Sequence, residues 1–497
     1  QNPTEAQVYE DWFQAVVNLR DALPQDKRFD AYKYSGELRS VCAAMMGKMK
    51  TGEDVAKVYD IIGRTYLFEA KDVFDSYCIY LEWNRAPEKK FYQPRRKVLK
   101  TVANALQDLT DDRLDLLAIS MPPGCGKTAL AIFYLTWLAG RNPDEPMLTG
   151  SHSNSFVRGV YDECLRIFDK DGEYLWNDVF PDVTVSNTNA KDCRIDLGKR
   201  KRFETLEFTS IGTGNAGLYR ASTLLYCDDL VSGIEVALSK PRLDKLWETY
   251  TTDLRQRKIG NKCKELHIAT RWSVHDVIGR LEQNYGDSDR NRFIVMPAMD
   301  EKDESNFDYD YGVGYSTETL RKQREVMDEM SWKALYMNQP VEREGLLFPA
   351  DELRYFNGVL PDGEPDRKLM VMDIAWGGGD FTACPIAYVY GDAVFIPDLV
   401  FNNGDKTVTR PEVVGKIIQH KINVVRGEAN NGGDEYCDVV DSQLRQQGYH
   451  CSVRSQRAPS GQSKLSRIIQ YAPDIKRFYF LDEKHQSKEY KAFMEQV

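Results

Sequence analysis

The chain has 497 residues, more than one hydrophobic core usually organises, so two or three domains are expected. With 42% hydrophobic and 29% charged residues and no apolar run of membrane-spanning length, the composition is that of a soluble protein and excludes a helical membrane protein. A formal net charge of −10, from 66 basic and 76 acidic side chains, excludes indiscriminate nucleic-acid binding, so a DNA partner has to be met by local basic patches.

The start, QNPTEAQVYEDWFQ, has no basic stretch leading into an apolar one, which speaks against secretion. The ten cysteines are scattered, without CxxC pairs or zinc spacing, as expected of reduced thiols in a cytoplasm. Residues 1–88 read as a helical lobe, on apolar spacing such as Val55, Val58, Ile61 and Ile62. From 89 to 341 the texture changes to β-rich segments separated by helices, the pattern of a parallel-sheet α/β domain. Residues 342–368 hold Gly345, Pro349, Gly358, Pro361, Gly363 and Pro365 and read as a linker. A last domain, 369–497, opens on the strand LMVMDIAW.

Within the second region a buried strand, LDLLAIS, runs into MPPGCGKT (Met121–Thr128) and then into the helical ALAIFYLTWLAG. Strand, glycine loop and helix make a P-loop. Backbone N–H groups of Pro123-Gly124-Cys125-Gly126 and the helix start cradle phosphate, Lys127 pairs with the β/γ oxygens, and Thr128 ligates magnesium. Proline supplies no N–H, so the donors come from its neighbours. Met121 stands where the usual pattern has its first glycine. A second apolar strand ends in Asp228 and Asp229, where a P-loop ATPase needs a magnesium-side carboxylate and a base for the attacking water. Magnesium is assigned to Asp228 and water activation to Asp229. The strand of CKELHIATRW ends in Thr270, the candidate that senses the γ-phosphate and couples hydrolysis to motion. Upstream, Tyr92 and Gln93 offer a ring and an amide suited to adenine.

In the last region one strand delivers Asp373, a turn at Gly377–Gly379 leads to Asp380, and the strand INVVRGEANNGG ends in Glu428. Carboxylates at adjacent strand ends make a hard oxygen pocket for magnesium or manganese, and two such ions support in-line phosphodiester hydrolysis. Three basic groups are candidates for phosphate contact: Lys199 to Arg202; Arg255, Arg257 and Lys258; and Arg454, Arg457, Lys464 and Arg467.

MPPGCGKT, the block SIGTGNAGLYRASTLLYCDDL, HIATRW and ALYMNQPVEREGLLF together resemble the large terminase subunit of tailed bacteriophages over most of residues 90–480. The resemblance implies an additional-strand P-loop ATPase with a parallel-rich sheet, fused to a ribonuclease H-like nuclease. It implies ATP with magnesium as substrate, double-stranded DNA as cargo, and as partners a small terminase subunit, the procapsid portal and further copies in a ring. The expected place is the bacterial host cytoplasm, not the mature virion. Family motors use an arginine on γ-phosphate charge, often from a neighbouring subunit, and Arg158, with Arg166 behind it, is the candidate here. Asp229 departs from the glutamate of many relatives. A third nuclease carboxylate, in a run such as HDDxxD, is expected beyond Val497; Asp434, Asp438 and Asp482 fit no such motif. The competing readings are a helicase or recombination ATPase with a degenerate nuclease-like domain, and a nucleotide-binding scaffold.

Overall fold

The computed structural model describes residues 5–24, 27–212, 219–237, 239–340, 348, 350–375, 381–429, 433–457 and 464–495. The chain divides into two compact units, Gln1–Glu342 and Arg343–Val497.

The first unit opens with α1 (Glu5–Ala22), α2 (Arg28–Met46), α3 (Gly52–Ala70) and α4 (Phe74–Leu81). Thr51 starts α3 by accepting the N–H of Asp54, and acidic Glu53 and Asp54 suit the positive end of its dipole. The first three helices enclose a small core around Phe13, Leu38, Cys42, Val58 and Ile61. Every residue of α4 except the half-buried Asp75 is buried, so this helix needs cover on nearly all sides. Cover comes from the sheet domain: Tyr77 bonds Thr136 at 2.8 Å, and Trp137 Nε1 donates to the carbonyl of Ala70 at 2.8 Å. Residues 1–88 therefore share a unit with the domain that follows.

That domain comprises α5 (Tyr92–Thr110), β1 (Leu116–Ser120), α6 (Lys127–Arg141), β2 (Met147–Ser151), α7 (Asn154–Phe168), α8 (Trp176–Val179), β3 (Val185–Asn189), β4 (Arg194–Leu197), β5 (Leu206–Ser210) and β6 (Leu224–Asp228). It continues with α9 (Ile234–Ala237), α10 (Lys240–Thr249), β7 (Lys264–Ala269), α11 (Val277–Tyr285), β8 (Asn291–Val295), α12 (Thr317–Glu325) and α13 (Glu329–Leu335). The strands form one sheet in the order β3-β4-β5-β2-β6-β7-β1-β8. All neighbours from β5 to β8 pair in parallel, while β3 and β4 form an antiparallel edge. The strands β1, β2, β5 and β6 are buried throughout, as parallel strands covered on both faces must be. Strand β7 lies between β6 and β1, which is the additional-strand arrangement.

The second unit contains β9 (Arg354–Phe356), β10 (Arg367–Met372), β11 (Thr382–Tyr390), β12 (Ala393–Asn402), α14 (Lys406–Gln419), β13 (Val424–Glu428), α15 (Gly433–Gln446), β14 (Ser452–Gln456), α16 (Lys464–Ile475), β15 (Tyr479–Leu481) and α17 (Lys488–Met494). Its sheet runs β14-β13-β10-β11-β12-β15-β9. An antiparallel β10-β11-β12 meander is extended by β13 and β14, both parallel to β10, which is the ribonuclease H-like order. The stretch expected to be a linker, 342–368, supplies β9, an edge strand paired with β15. Three residues between Gly and Pro signals carry too little alternation to be read as a strand. Among the described residues no helix is long and apolar enough to cross a membrane.

Candidate nucleotide and nuclease sites

The nucleotide site is built where β1, β6 and β7 end. After β1 the N–H of Met121 bonds the carbonyl of Ala269 at 3.2 Å, so this residue prolongs the β1–β7 pairing and is buried. A glycine there is not needed for the turn, because the left-handed positions come later, at Gly124 (φ +75°) and Gly126 (φ +91°). Gly126 leads into α6 without a side-chain cap, which leaves the first N–H groups of α6 for an anion. Burial pushes the Cys125 thiol up to about 12, so it is a packing group and not a nucleophile.

Lys127 is buried, and its Nζ donates to Thr270 Oγ1 at 2.8 Å and lies 3.6 Å from Asp229 Oδ2. Asp229 stands at φ +39°, with Oδ1 accepting the N–H of Thr270 at 2.8 Å. Its own carbonyl is 2.6 Å from His152 Nδ1, so that nitrogen carries the proton. Asp228 is fully buried at the end of β6; the Tyr226 hydroxyl donates to Oδ2, and among the described residues Oδ1 has no hydrogen-bond partner within normal geometry. Burial, reinforced by the charge of Asp229, raises its carboxyl, while Tyr226, Lys127 and Thr128 pull it down. Ser151 Oγ, on the residue paired with Asp228 across β2 and β6, is likewise buried without a partner. A fully buried carboxylate oxygen with no donor is costly unless a cation neutralises it, and the oxygens of Asp228 and Thr128 suit magnesium. The structure thus brings together Lys127, Thr128, Asp228, Asp229 and Thr270.

It does not bring Tyr92 there as expected. The Tyr92 ring is wholly buried, and its hydroxyl donates to Asp75 at 2.7 Å, because α5 packs this face against α4. Tyr92 is a core residue. Gln93, one position on, is exposed. The aromatic groups at the P-loop are others: a Cβ on Gly126 would lie 2.7 Å from the Phe91 ring, and one on Gly124 2.6 Å from the Tyr315 hydroxyl. Arg95 is also there, its Cδ 3.4 Å from the same Gly126 position. Among the described residues its Nε is buried without a partner, as is the hydroxyl of Tyr309, whose ring centroid is 5.7 Å from the guanidinium. Burial lowers the affinity of Arg95 for its proton. Sequence reading passed over Arg95, although it is one helical turn beyond Phe91, to whose carbonyl it donates at 2.9 Å.

Arg158 reaches the β3–β4 turn, donating to the carbonyl of Ala190 with Cys193 Sγ at 3.9 Å, and Arg166 pairs with Glu163 at 2.7 Å. Neither faces Asp228 in its own chain. The second basic group is also corrected: Arg255 and Lys258 are 3.3 and 3.0 Å from the buried Glu265, and Arg257 pairs with Asp253. Arg255 and Lys258 thus neutralise a carboxylate inside the protein.

In the second unit Met372 pairs with Gly427, which puts Asp373 level with Glu428 at adjacent strand ends. Asp373 is fixed by two backbone bonds to Ala383, both 2.9 Å. Gly427 has to be glycine because a Cβ would sit 2.4 Å from Cys437 Sγ. Arg467 Nη2 lies 3.9 Å from Glu428. Asp380 lies outside the described residues, and among these no group of three His, Cys, Asp or Glu could hold a metal. Asp482 follows β15, three strands from β10, and bonds His485.

Residues 372–476, which run from the strand before Asp373 into α16, match the family model of the ribonuclease H-like domain of the bacteriophage T7 terminase. The chain carries a terminase nuclease domain. Among solved structures, the large terminase of a thermophilic bacteriophage in complex with ADP is 13% identical, covers 78% of this chain and 88% of its own, and has a TM-score of 0.39. The HK97 bacteriophage large terminase is 12% identical over 76% of this chain and 84% of its own, with a TM-score of 0.33. A human cytomegalovirus terminase nuclease domain, soaked with Mn, is 12% identical over 29% of this chain and 81% of its own, with a TM-score of 0.21. At these values no residue role passes from them to this chain. No curated protein matches the sequence. Asp373, at the start of the matched region, and Glu428, near its middle, are the carboxylates that the sheet register sets at adjacent strand ends.

Proposed function

We propose that the whole chain is a large terminase subunit that hydrolyses ATP to move double-stranded DNA into a procapsid and cuts concatemeric DNA. The observation that carries this reading is the union, in one chain, of a P-loop with an orphaned buried carboxylate and a terminase nuclease domain. It is an ATPase and a nuclease of DNA packaging.

In the ATP reaction the N–H groups at the start of α6 and the Lys127 ammonium bind the phosphates, Lys127 exchanging Asp229 for the γ-phosphate. Thr128 and Asp228 would hold magnesium, which would supply positive charge against the phosphates. Asp229 takes the proton of the attacking water, and Thr270, tied to both Lys127 and Asp229, feels the loss of the γ-phosphate. Gln93 and Arg95 are the candidates for contacts to the rest of the nucleotide. In the nuclease, Asp373 and Glu428, with Asp380, would hold magnesium or manganese, whose chemistry there would be water activation and charge stabilisation of the leaving oxygen. The partners on this reading are a small terminase subunit, the portal and further copies in a ring, one of which supplies Arg158 in trans, all in the bacterial host cytoplasm.

The test is plasmid cutting with manganese together with phosphate release. Both activities are expected, the first lost in Asp373→Asn and the second in Lys127→Ala. ATPase activity without cutting in the full-length protein would favour a helicase or recombination ATPase.

A further inference from the structure

We propose that the ATPase unit grips the DNA backbone with Lys199, Arg200, Arg202 and Arg220, on the sheet edge opposite the nucleotide. The inference rests on the packaging reading and locates its cargo.

Arg255, Arg257 and Lys258 are committed to Glu265 and Asp253, and Lys264 and Arg290 to Asp112 and Asp115. The four cations named are exposed, and none has a carboxylate partner among the described residues. The neighbouring acids are mostly occupied or buried: Glu204 pairs with Arg194 at 3.5 Å, Glu145 accepts from Ser222, and the buried Glu207 accepts the backbone N–H of Arg220 at 3.1 Å, while Asp144 flanks Gly198.

The surface is also built. Lys201, in the middle of the basic run, is turned inward, its Nζ 2.8 Å from both the Pro143 carbonyl and Asp196 Oδ1 and 2.9 Å from the Leu197 carbonyl. Thr205 Oγ1 adds a 2.6 Å bond to the same Pro143 carbonyl. These bonds fix the turn between β4 and β5 and leave its other cations facing out. Phe203 then holds two guanidiniums, Arg202 at 5.3 Å and Arg220 at 5.0 Å from its ring centroid, so both arginines are ordered without being neutralised. A rigid array of exposed cations held without carboxylates fits a polyanion read by charge and not by sequence, as a duplex backbone is.

Its placement connects it to the motor. Arg220 precedes β6, and the turn of Lys199 to Arg202 precedes β5, whereas Asp228 stands at the far end of β6. The phosphates of ATP and of DNA thus meet opposite ends of one buried strand, about 17 Å apart.

Binding of a random-sequence duplex over a salt series tests this. Replacing the four residues by alanine is expected to reduce the slope of log K against log salt by about 3 to 4, since each phosphate contact contributes about 0.9. Replacing the three arginines by lysine is expected to keep the wild-type slope. Thermal unfolding checks that both variants fold. An unchanged slope in the alanine variant, or equal losses in both, overturns the surface while leaving the packaging reading standing. A wild-type chain with no salt-dependent duplex binding overturns the packaging reading itself.

Discussion

Lys127 Nζ donates to Thr270 Oγ1 at 2.8 Å, joining the phosphate-binding loop to the end of the strand inserted between β1 and β6. The same ammonium leans on Asp229, so arriving phosphates compete with that carboxylate for Lys127. Thr270→Val keeps the N–H that serves Asp229 and removes only the hydroxyl. A hydrogen bond to a charged group contributes about 1.5–3 kcal/mol, so kcat is expected to fall roughly 10- to 100-fold. ADP affinity should change less than about threefold, and Thr270→Ser should restore turnover. Phosphate release and nucleotide titration separate the two, and an equal loss in both would make Thr270 a nucleotide-binding residue.

Asp229 occupies a left-handed conformation that Asn also tolerates, so Asp229→Asn tests charge without backbone strain. If its carboxylate takes the proton from water, kcat should drop by about 10²- to 10⁴-fold while nucleotide still binds. Full activity in this variant would move the base elsewhere, with His152, bonded to the Asp229 carbonyl, the next candidate.

Arg95 and Tyr92 give opposite expectations from neighbouring positions. The guanidinium has a buried nitrogen without a partner beside the P-loop, so Arg95→Ala should weaken nucleotide binding by about 10- to 100-fold with little change in stability. Tyr92→Phe deletes the bond to Asp75 and should cost about 1–2 kcal/mol of stability without touching nucleotide affinity. Unfolding curves and ADP titrations on the two variants suffice; the reverse pattern would restore Tyr92 as the adenine platform.

The difference between these residues shows what the chain reveals before it folds. The P-loop was legible because its requirements are local: two left-handed glycines, a helix start and a lysine within a few residues. Asp373 and Glu428 were legible as strand ends, since apolar runs ending in acids are rare in cores. Tyr92 and Arg95 were not, because both lie on α5, and only its packing angle decides which face meets α4 and which meets the loop. The basic groups were equally opaque. Arg255 and Lys258 look free in sequence, and the glutamate they neutralise sits buried on the next strand, β7.

Asp398 links the stability of the second unit to acid pH. It lies on β12 and is bonded by His420 Nε2 at 2.8 Å and by Lys416, both from α14 or its end, and by the N–H of Leu399 at 2.9 Å. Burial alone would raise its carboxyl, but these donors outweigh burial and hold it down to about 2 against an ordinary value of 3.8. The folded state therefore binds this proton more weakly than the unfolded chain does. The resulting stabilisation, on the order of 2 kcal/mol, is complete above the unfolded value and is lost as pH falls from about 4 through about 2. Hydrogen exchange of β12 and α14 peptides, corrected for intrinsic rates, should show wild-type protection falling across that window. Asp398→Asn should start lower at neutral pH and stay flat there. A parallel fall in both proteins would assign the acid sensitivity to other carboxylates.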